Sequence, residues 1–170
     1  MKQQCYIATI YLSWAAYLGG LAFFVAMARY PMAIAWLVTV PLAQWVYMRR
    51  FPKISYYLGY GQVTDKPARL VEPAPIKVIL YTALGCPFCP LVEQRLETLQ
   101  KKMGFSLEKI DVTLKRELLA NKGIRAVPVI EAGRQHLVGN VTSDQIATLI
   151  LSQRRLLWLE KQAAQLLKAG

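Results

Sequence analysis

Residues 81–90 read YTALGCPFCP, in which a glycine leads into two cysteines separated by two residues, and each cysteine is followed by a proline. Ahead of the stretch, IKVILY (76–81) is a short, strongly apolar strand. Behind it, PLVEQRLETLQKKMG (90–104) sets Val92, Leu96, Leu99 and Met103 at helical spacing and closes on Gly104. The dithiol Cys86/Cys89 therefore sits in a loop between a strand and a helix. Backbone N–H groups and the dipole at a helix N-terminus stabilise an anion, which predicts a lowered pKa for Cys86. Two intervening residues place Cys89 one turn later, in reach of a mixed disulfide formed at Cys86. Pro87 and Pro90 fit first-turn positions, where a missing N–H costs little.

Further along, FSLEKIDV (105–112) alternates as a strand, and LKRELLANKG (114–123) is a short helix stopped by Gly123. Residues 127–133 and 134–139 read as a hairpin around Ala132-Gly133. TSDQIATLILSQ opens a last helix with Thr142 and Ser143 as caps. The order βαβαββα, with a crossover helix between the first two strands, describes a small α/β domain with a mixed central sheet.

A CxxC beside a βαβ pattern reads as a thioredoxin-like redox motif. YTALGCPFC resembles the strand-then-GCPYC segment of the glutaredoxins, within the thioredoxin superfamily, with Phe88 in place of the usual tyrosine. GIRAVPVIEAGRQHLVGNVTSDQI (123–146) resembles that family's second block. The likeness covers roughly residues 76–151 and implies a thioredoxin-like, glutaredoxin-type fold. It also implies a cis Val127-Pro128 turn facing the dithiol, with Val127 pairing by its backbone to a bound thiol substrate or glutathione. Phe88 joins them as a substrate-side residue. Arg125, Thr142, Ser143 and Asp144 are the candidate glutathione contacts, each also readable as a cap or a solvated charge. Two departures stand out: Leu84 lies in the segment where many glutaredoxins carry a lysine, and the glycine pair is Gly139-Asn140. The aspartate that thioredoxins carry six residues before the first cysteine is Leu80 here, which favours glutaredoxin over thioredoxin.

The other half of the chain is different in kind. Of 170 residues 55% are hydrophobic, above the roughly 45–50% of soluble domains, and the excess is concentrated at the N-terminal end. No charged residue occurs from Cys5 to Ala28 or from Pro31 to Met48. The first run is long enough for a membrane helix, too long for a signal-peptide core, and lacks a small-residue cleavage site. Gly19 and Gly20 would let another helix approach closely. The second run is short and contains Pro41 and Gln44, but its apolar residues cover all sides, which favours a second span over a surface-lying helix. A tight turn at Arg29-Tyr30-Pro31 makes the pair a hairpin. Lys2, Arg49, Arg50 and Lys53 on one side, against Arg29 on the other, place both ends and the redox domain in the cytoplasm of a bacterial-type inner membrane.

The resulting division is a hairpin over 1–48, a linker over 49–75, the redox domain over 76–151 and an amphipathic extension over 152–170. Four prolines and two glycines (Gly59, Gly61) keep the linker from forming a long regular element. Its Tyr56, Tyr57 and Tyr60 fit the headgroup level or a contact with the domain. In the extension, Leu156, Leu159, Ala163, Leu166 and Leu167 form an apolar stripe. It reads equally as lying on an anionic membrane, packing on a partner helix, or lengthening the domain's last helix. The net charge of +11 comes from scattered Lys and Arg without interleaved aromatics, a pattern that excludes nucleic acid and points to anionic lipid.

Zinc is disfavoured: the chain has three cysteines and one histidine (His136), and Cys5 belongs to the membrane end. The reading that follows is a membrane-anchored thiol–disulfide oxidoreductase. Cys86 attacks, Cys89 resolves, the client is a protein disulfide, and no resident cofactor or metal is required, glutathione serving as a reductant. Two rivals remain open. One is an accessory subunit of a membrane-protein complex with a regulatory or vestigial dithiol. The other, less favoured, is a [2Fe–2S] carrier bridged through Cys86.

Overall fold

The structure is a computed structural model. It describes residues 3–58, 60, 63, 65–68 and 72–169, with the side chains of Arg116 and of residues 167–169 left out. Lys2, Gly59, Gly61 and the Leu167 side chain therefore lie outside the described residues.

Strand β1 (Cys5–Tyr6) leads straight into helix α1 (Ile7–Ala26), and α2 (Tyr30–Ile54) returns antiparallel to it. The turn falls at Met27–Arg29, with Ala28 at φ 54°, two residues earlier than the sequence suggests. Tyr30 and Pro31 instead form the first turn of α2, where proline's fixed φ suits a helix start. The two helices meet at Gly20. A Cβ there would lie 2.8 Å from Trp36 Cζ2, and the Trp36 indole donates to the Tyr17 carbonyl at 3.1 Å. Gly19, by contrast, has open space around it.

Helix α2 continues six residues past the expected end at Met48, through Pro52. Pro52 removes one intrahelical donor only in the last turn, and Phe51 beside it is fully buried against the redox domain. Tertiary packing thus carries the helix into a segment whose composition reads as linker.

The redox domain follows as β2 (Lys77–Thr82), α3 (Cys89–Met103), β3 (Ser106–Asp111), α4 (Arg116–Lys122), β4 (Ala126–Val127), β5 (Val129–Ala132), β6 (Gln135–Val138) and α5 (Ser143–Ala169). Four strands form a sheet in the order β3-β2-β5-β6, with β2 and β3 parallel and the other pairs antiparallel. This is the expected thioredoxin-like α/β arrangement with a mixed sheet.

Period-two alternation divides β2 between two cores. Val78 and Leu80 face Val92, Leu96, Leu99 and Met103 of α3 and Ile146 and Ile150 of α5. Ile79 and Tyr81 face the opposite way, toward Leu119 of α4, Val129, and the hairpin residues Ile7, Ile10 and Phe51. The hairpin is therefore one wall of the domain's second core. Each such buried side chain contributes roughly 1.5–3 kcal/mol relative to exposure.

Helix α5 runs unbroken across residue 151 to Ala169, so the extension lengthens the domain's last helix. Leu156, Trp158, Leu159 and Leu166 on it are exposed.

Candidate active site

The dithiol loop leaves the C-terminal end of β2, the sheet's second strand. Its shape is set by short backbone bonds, Cys86 N–H to Ala83 O at 3.2 Å and Cys89 N–H to Cys86 O at 3.3 Å. The Leu84 amide donates to Thr113 Oγ1 at 2.8 Å, which ties the loop to the end of β3. Helix α3 begins at Cys89, so Cys86 lies in the turn just ahead of it. The Val127-Pro128 peptide is cis, and the Cys86 thiol donates to the Val127 carbonyl at 3.8 Å. Cys86, Cys89, Val127 and Pro128 are thus brought together as the motif implies.

The surroundings of the dithiol differ from what the motif suggests. Cys86 is 0% exposed and Cys89 4%. Phe88, expected on the substrate side, is buried beneath Phe51 (centroids 5.0 Å apart, edge-on) and Tyr60 (5.4 Å). Tyr56 and Tyr57 stay exposed. On the hairpin side, a cleft of about 310 Å³ lined by Trp14, Tyr17, Pro41, Gln44 and Tyr47 reaches Gly85, next to Cys86.

The backbone edge beside the dithiol is occupied by the chain's own N-terminus. β1 pairs antiparallel with β4, Cys5 opposite Val127 and Tyr6 opposite Ala126. The Ile7 amide donates to the Arg125 carbonyl at 3.0 Å, and the Asn140 amide donates to the Gln3 carbonyl at 2.7 Å. Gly139, at φ 95°, makes that approach feasible, because a Cβ there would come within 2.9 Å of the Gln3 carbonyl oxygen. Cys5, expected from the sequence to belong to a membrane end, is consequently part of the dithiol's surroundings.

Cys5 packs on the cluster that holds Cys86 and Cys89. The Cys5 thiol favours the Cys86 thiolate, but the Cys89 thiol, burial and the nearby Cys89 charge together push the Cys86 thiol above its ordinary value. The lowered pKa expected from the helix terminus is therefore not met in this closed arrangement, where the Cys89 thiol and burial disfavour the anion. Cys5 is also pushed up, first by the Cys86 thiol and then by burial.

The four candidate glutathione contacts are dispersed. Arg125 is exposed. Thr142 and Gln145 cap α5 reciprocally, the Thr142 amide donating to Gln145 Oε1 at 2.8 Å and the Gln145 amide to Thr142 Oγ1 at 3.3 Å. The Ser143 amide donates to the Asp65 carboxylate, and Asp144 is exposed in the same first turn. Asp65 itself is held by Arg95, which also donates to Asn140 Oδ1 and the Val141 carbonyl, both at 2.6 Å, and to the Val63 carbonyl at 2.5 Å. A linker carboxylate thus fills the α5 N-terminus.

Gln3, Cys5, Phe51, Asp65 and Arg95 were not identifiable from local pattern. The one signal available was the odd third cysteine. Among the described residues no group of three or more His, Cys, Asp or Glu side chains is gathered for a metal, and His136 stands opposite Glu131 on the β5–β6 ladder.

Residues 77–151 match the family model for the glutaredoxin-like domain (DUF836). A probable thioredoxin of Methanothermobacter marburgensis is 33% identical over 57 residues, 32% of this chain and 67% of that protein. The N-acetyl-S-hydroxy-L-cysteine reductase of Bacillus subtilis is 32% identical over 81 residues, 45% of this chain and 83% of its own. Among solved structures, a mutant thioredoxin of Halobacterium salinarum aligns over 54% of this chain and 96% of its own, at 24% identity and a TM-score of 0.43. With its dithiol loop, its family match over residues 77–151 and these relatives together, the chain belongs to the thioredoxin superfamily through a glutaredoxin-like domain.

Proposed function

We propose that this protein is a membrane-anchored thiol–disulfide oxidoreductase whose redox domain lies on the cytoplasmic face. The observation that carries the reading is the Cys86–Cys89 pair set against the cis Val127-Pro128 turn. In this reading a Cys86 thiolate, formed once the cover opens, attacks a protein disulfide. Cys89 then displaces the reduced client and leaves Cys86–Cys89 oxidised.

Support for the anchor comes from helices of 20 and 25 residues with mean hydropathies of 1.5 and 1.3, whose most apolar windows are only 11% and 6% buried. Core helices of a soluble protein would be mostly covered. Arg49, Arg50 and Lys53 against Arg29 support the cytoplasmic side. Exposed Leu84 and Leu114 adjoin Trp14 and Leu18 in a nearly all-apolar surface, which suits a domain resting its loops in the membrane interface. Glutaredoxin couples lie near roughly −200 to −230 mV, at or above the cytosolic glutathione poise, so a cytoplasmic dithiol would be kept reduced and act as a reductase. Asp65 at the Ser143 amide counts against a glutathione contact there.

The full burial of Cys86 favours a second reading, an accessory subunit of a membrane complex with a regulatory dithiol. The test is stoichiometric. Reduced full-length protein in nanodiscs is mixed with a protein disulfide, and thiols are mapped by mass spectrometry. Client reduction with loss of the Cys86 thiol is expected, and none with Cys86→Ser. Equal client reduction by Cys86→Ser would overturn the proposal. No reduction by either form would favour the accessory subunit.

A further inference from the structure

Cys5 is the thiol that the two-cysteine mechanism does not use, yet the fold delivers it to the dithiol. Three independent backbone contacts hold its segment: Gln3 on Asn140, Cys5 opposite Val127, and Ile7 on Arg125. Gln3 is further fixed by its side chain, which accepts from Asn140 Nδ2 at 2.6 Å and donates to the Tyr60 carbonyl at 2.5 Å. Val127 is also the residue whose carbonyl accepts the Cys86 thiol. A peptide paired there presents the side chain opposite Val127 to Cys86, and in this chain that side chain is a cysteine. Cys5 is half-buried and packs on the cluster that includes Cys86 and Cys89.

We propose that Cys5 is a third redox thiol, presented by its own β1 strand as an internal substrate, and that it exchanges with Cys86 to form a Cys5–Cys86 disulfide. The proposal rests on the exchange chemistry assigned to Cys86 above. In the exchange, Cys5 Sγ attacks Cys86 Sγ of an oxidised Cys86–Cys89 pair. The Cys5–Cys86 bond forms as the Cys86–Cys89 bond breaks, and the electron pair leaves on Cys89 Sγ, which takes up the proton lost by Cys5. The disulfide moves with no net oxidation, so the client disulfide that oxidised the pair is the only oxidant required. The same attack on a mixed disulfide between Cys86 and a client expels the client as a thiol. Because Tyr6 is followed at once by α1, the relocated bond links the dithiol covalently to the start of the membrane hairpin. It also fills the edge at Val127 against any external strand.

The test uses full-length Cys89→Ser protein in nanodiscs, where Cys5 and Cys86 are the remaining cysteines. Reduced protein is treated with oxidised glutathione, quenched in acid and mapped by mass spectrometry. Glutathione on Cys86 should be resolved by Cys5, so that the intramolecular Cys5–Cys86 bond predominates. A tethered thiol acts at millimolar effective concentration or above, so the glutathione adduct should be at least about tenfold more abundant in Cys5→Ser/Cys89→Ser than in Cys89→Ser. The serine preserves the main-chain pairing with Val127, and Cys5→Ala in the same background checks that the effect belongs to the sulfur. A persistent Cys86–glutathione adduct beside a free Cys5 in Cys89→Ser would overturn the third-thiol proposal while leaving the exchange chemistry of Cys86 intact. Failure of Cys86 to form an adduct in any variant would instead remove the exchange reading itself, and this proposal with it.

Discussion

Replacing Phe51 by alanine should unmask Cys86. Phe51 is 0% exposed in the last turn of α2, with ring centroids 5.0 Å from Phe88, 5.8 Å from Tyr60 and 5.6 Å from Tyr47. Core Phe→Ala substitutions cost roughly 3–5 kcal/mol, and a site at a helix end beside a linker belongs near the lower figure. Not all of that cost bears on opening. Tyr47 sits one turn away on the same helix, so its contact survives when the hairpin end lifts, whereas the contact with Phe88 is lost. About two-thirds of 3 kcal/mol, or about 2 kcal/mol, then shifts the closed-to-open equilibrium, which at 1.36 kcal/mol per decade is about 30-fold.

The assay is iodoacetamide alkylation of the reduced protein in nanodiscs at one pH, with Cys86 labelling followed by mass spectrometry and referred to the denatured rate. When reclosing is fast, the rate tracks the open population. Wild-type Cys86 should be strongly protected, Phe51→Ala about 30-fold less so, and Tyr57→Ala unchanged, since Tyr57 is 88% exposed. Folded Phe51→Ala that labels within about threefold of wild type would refute the argument that this ring closes the dithiol.

Two further outcomes are expected. Burial pushes the Asp65 carboxyl up, but the Ser143 amide and hydroxyl, the Lys66 amide and Arg95 outweigh it and hold the group below the usual carboxylate range. Its stabilising effect is therefore complete above the unfolded pKa of about 3.9 and is lost as pH falls through the lower folded value. Asp65→Asn should thus cost about 1.5–3 kcal/mol at neutral pH, with the difference from wild type vanishing in strong acid, as read by denaturant melts across pH. In the hairpin, Gly20→Val should destabilise by about 1–3 kcal/mol through the clash with Trp36, while Gly19→Ala should be neutral, as measured by thermal melts in detergent.

Local chemistry made the redox half legible. The apolar alternation of residues 76–81, the helical spacing of Val92 to Met103, the CPFC turn and the Val-Pro step each depend on neighbours a few residues apart. They therefore specify a strand, a helix and a dithiol loop without knowledge of the rest of the chain. The apolar runs likewise declared two long helices, because length and the absence of charge are properties of the runs themselves.

What decided the state of the dithiol is long-range. Cys5 and Cys86 are 81 positions apart, Phe51 and Phe88 are 37 apart, and Asp65 reaches Ser143 across 78 residues. No periodicity or spacing encodes such contacts, which arise when the hairpin closes over the sheet's second face. That closure buries Cys86, and the Cys89 thiol together with burial pushes its thiol above the ordinary value. It also makes Cys5 the dithiol's neighbour, because the chain's own β1 strand satisfies the free backbone edge at Val127.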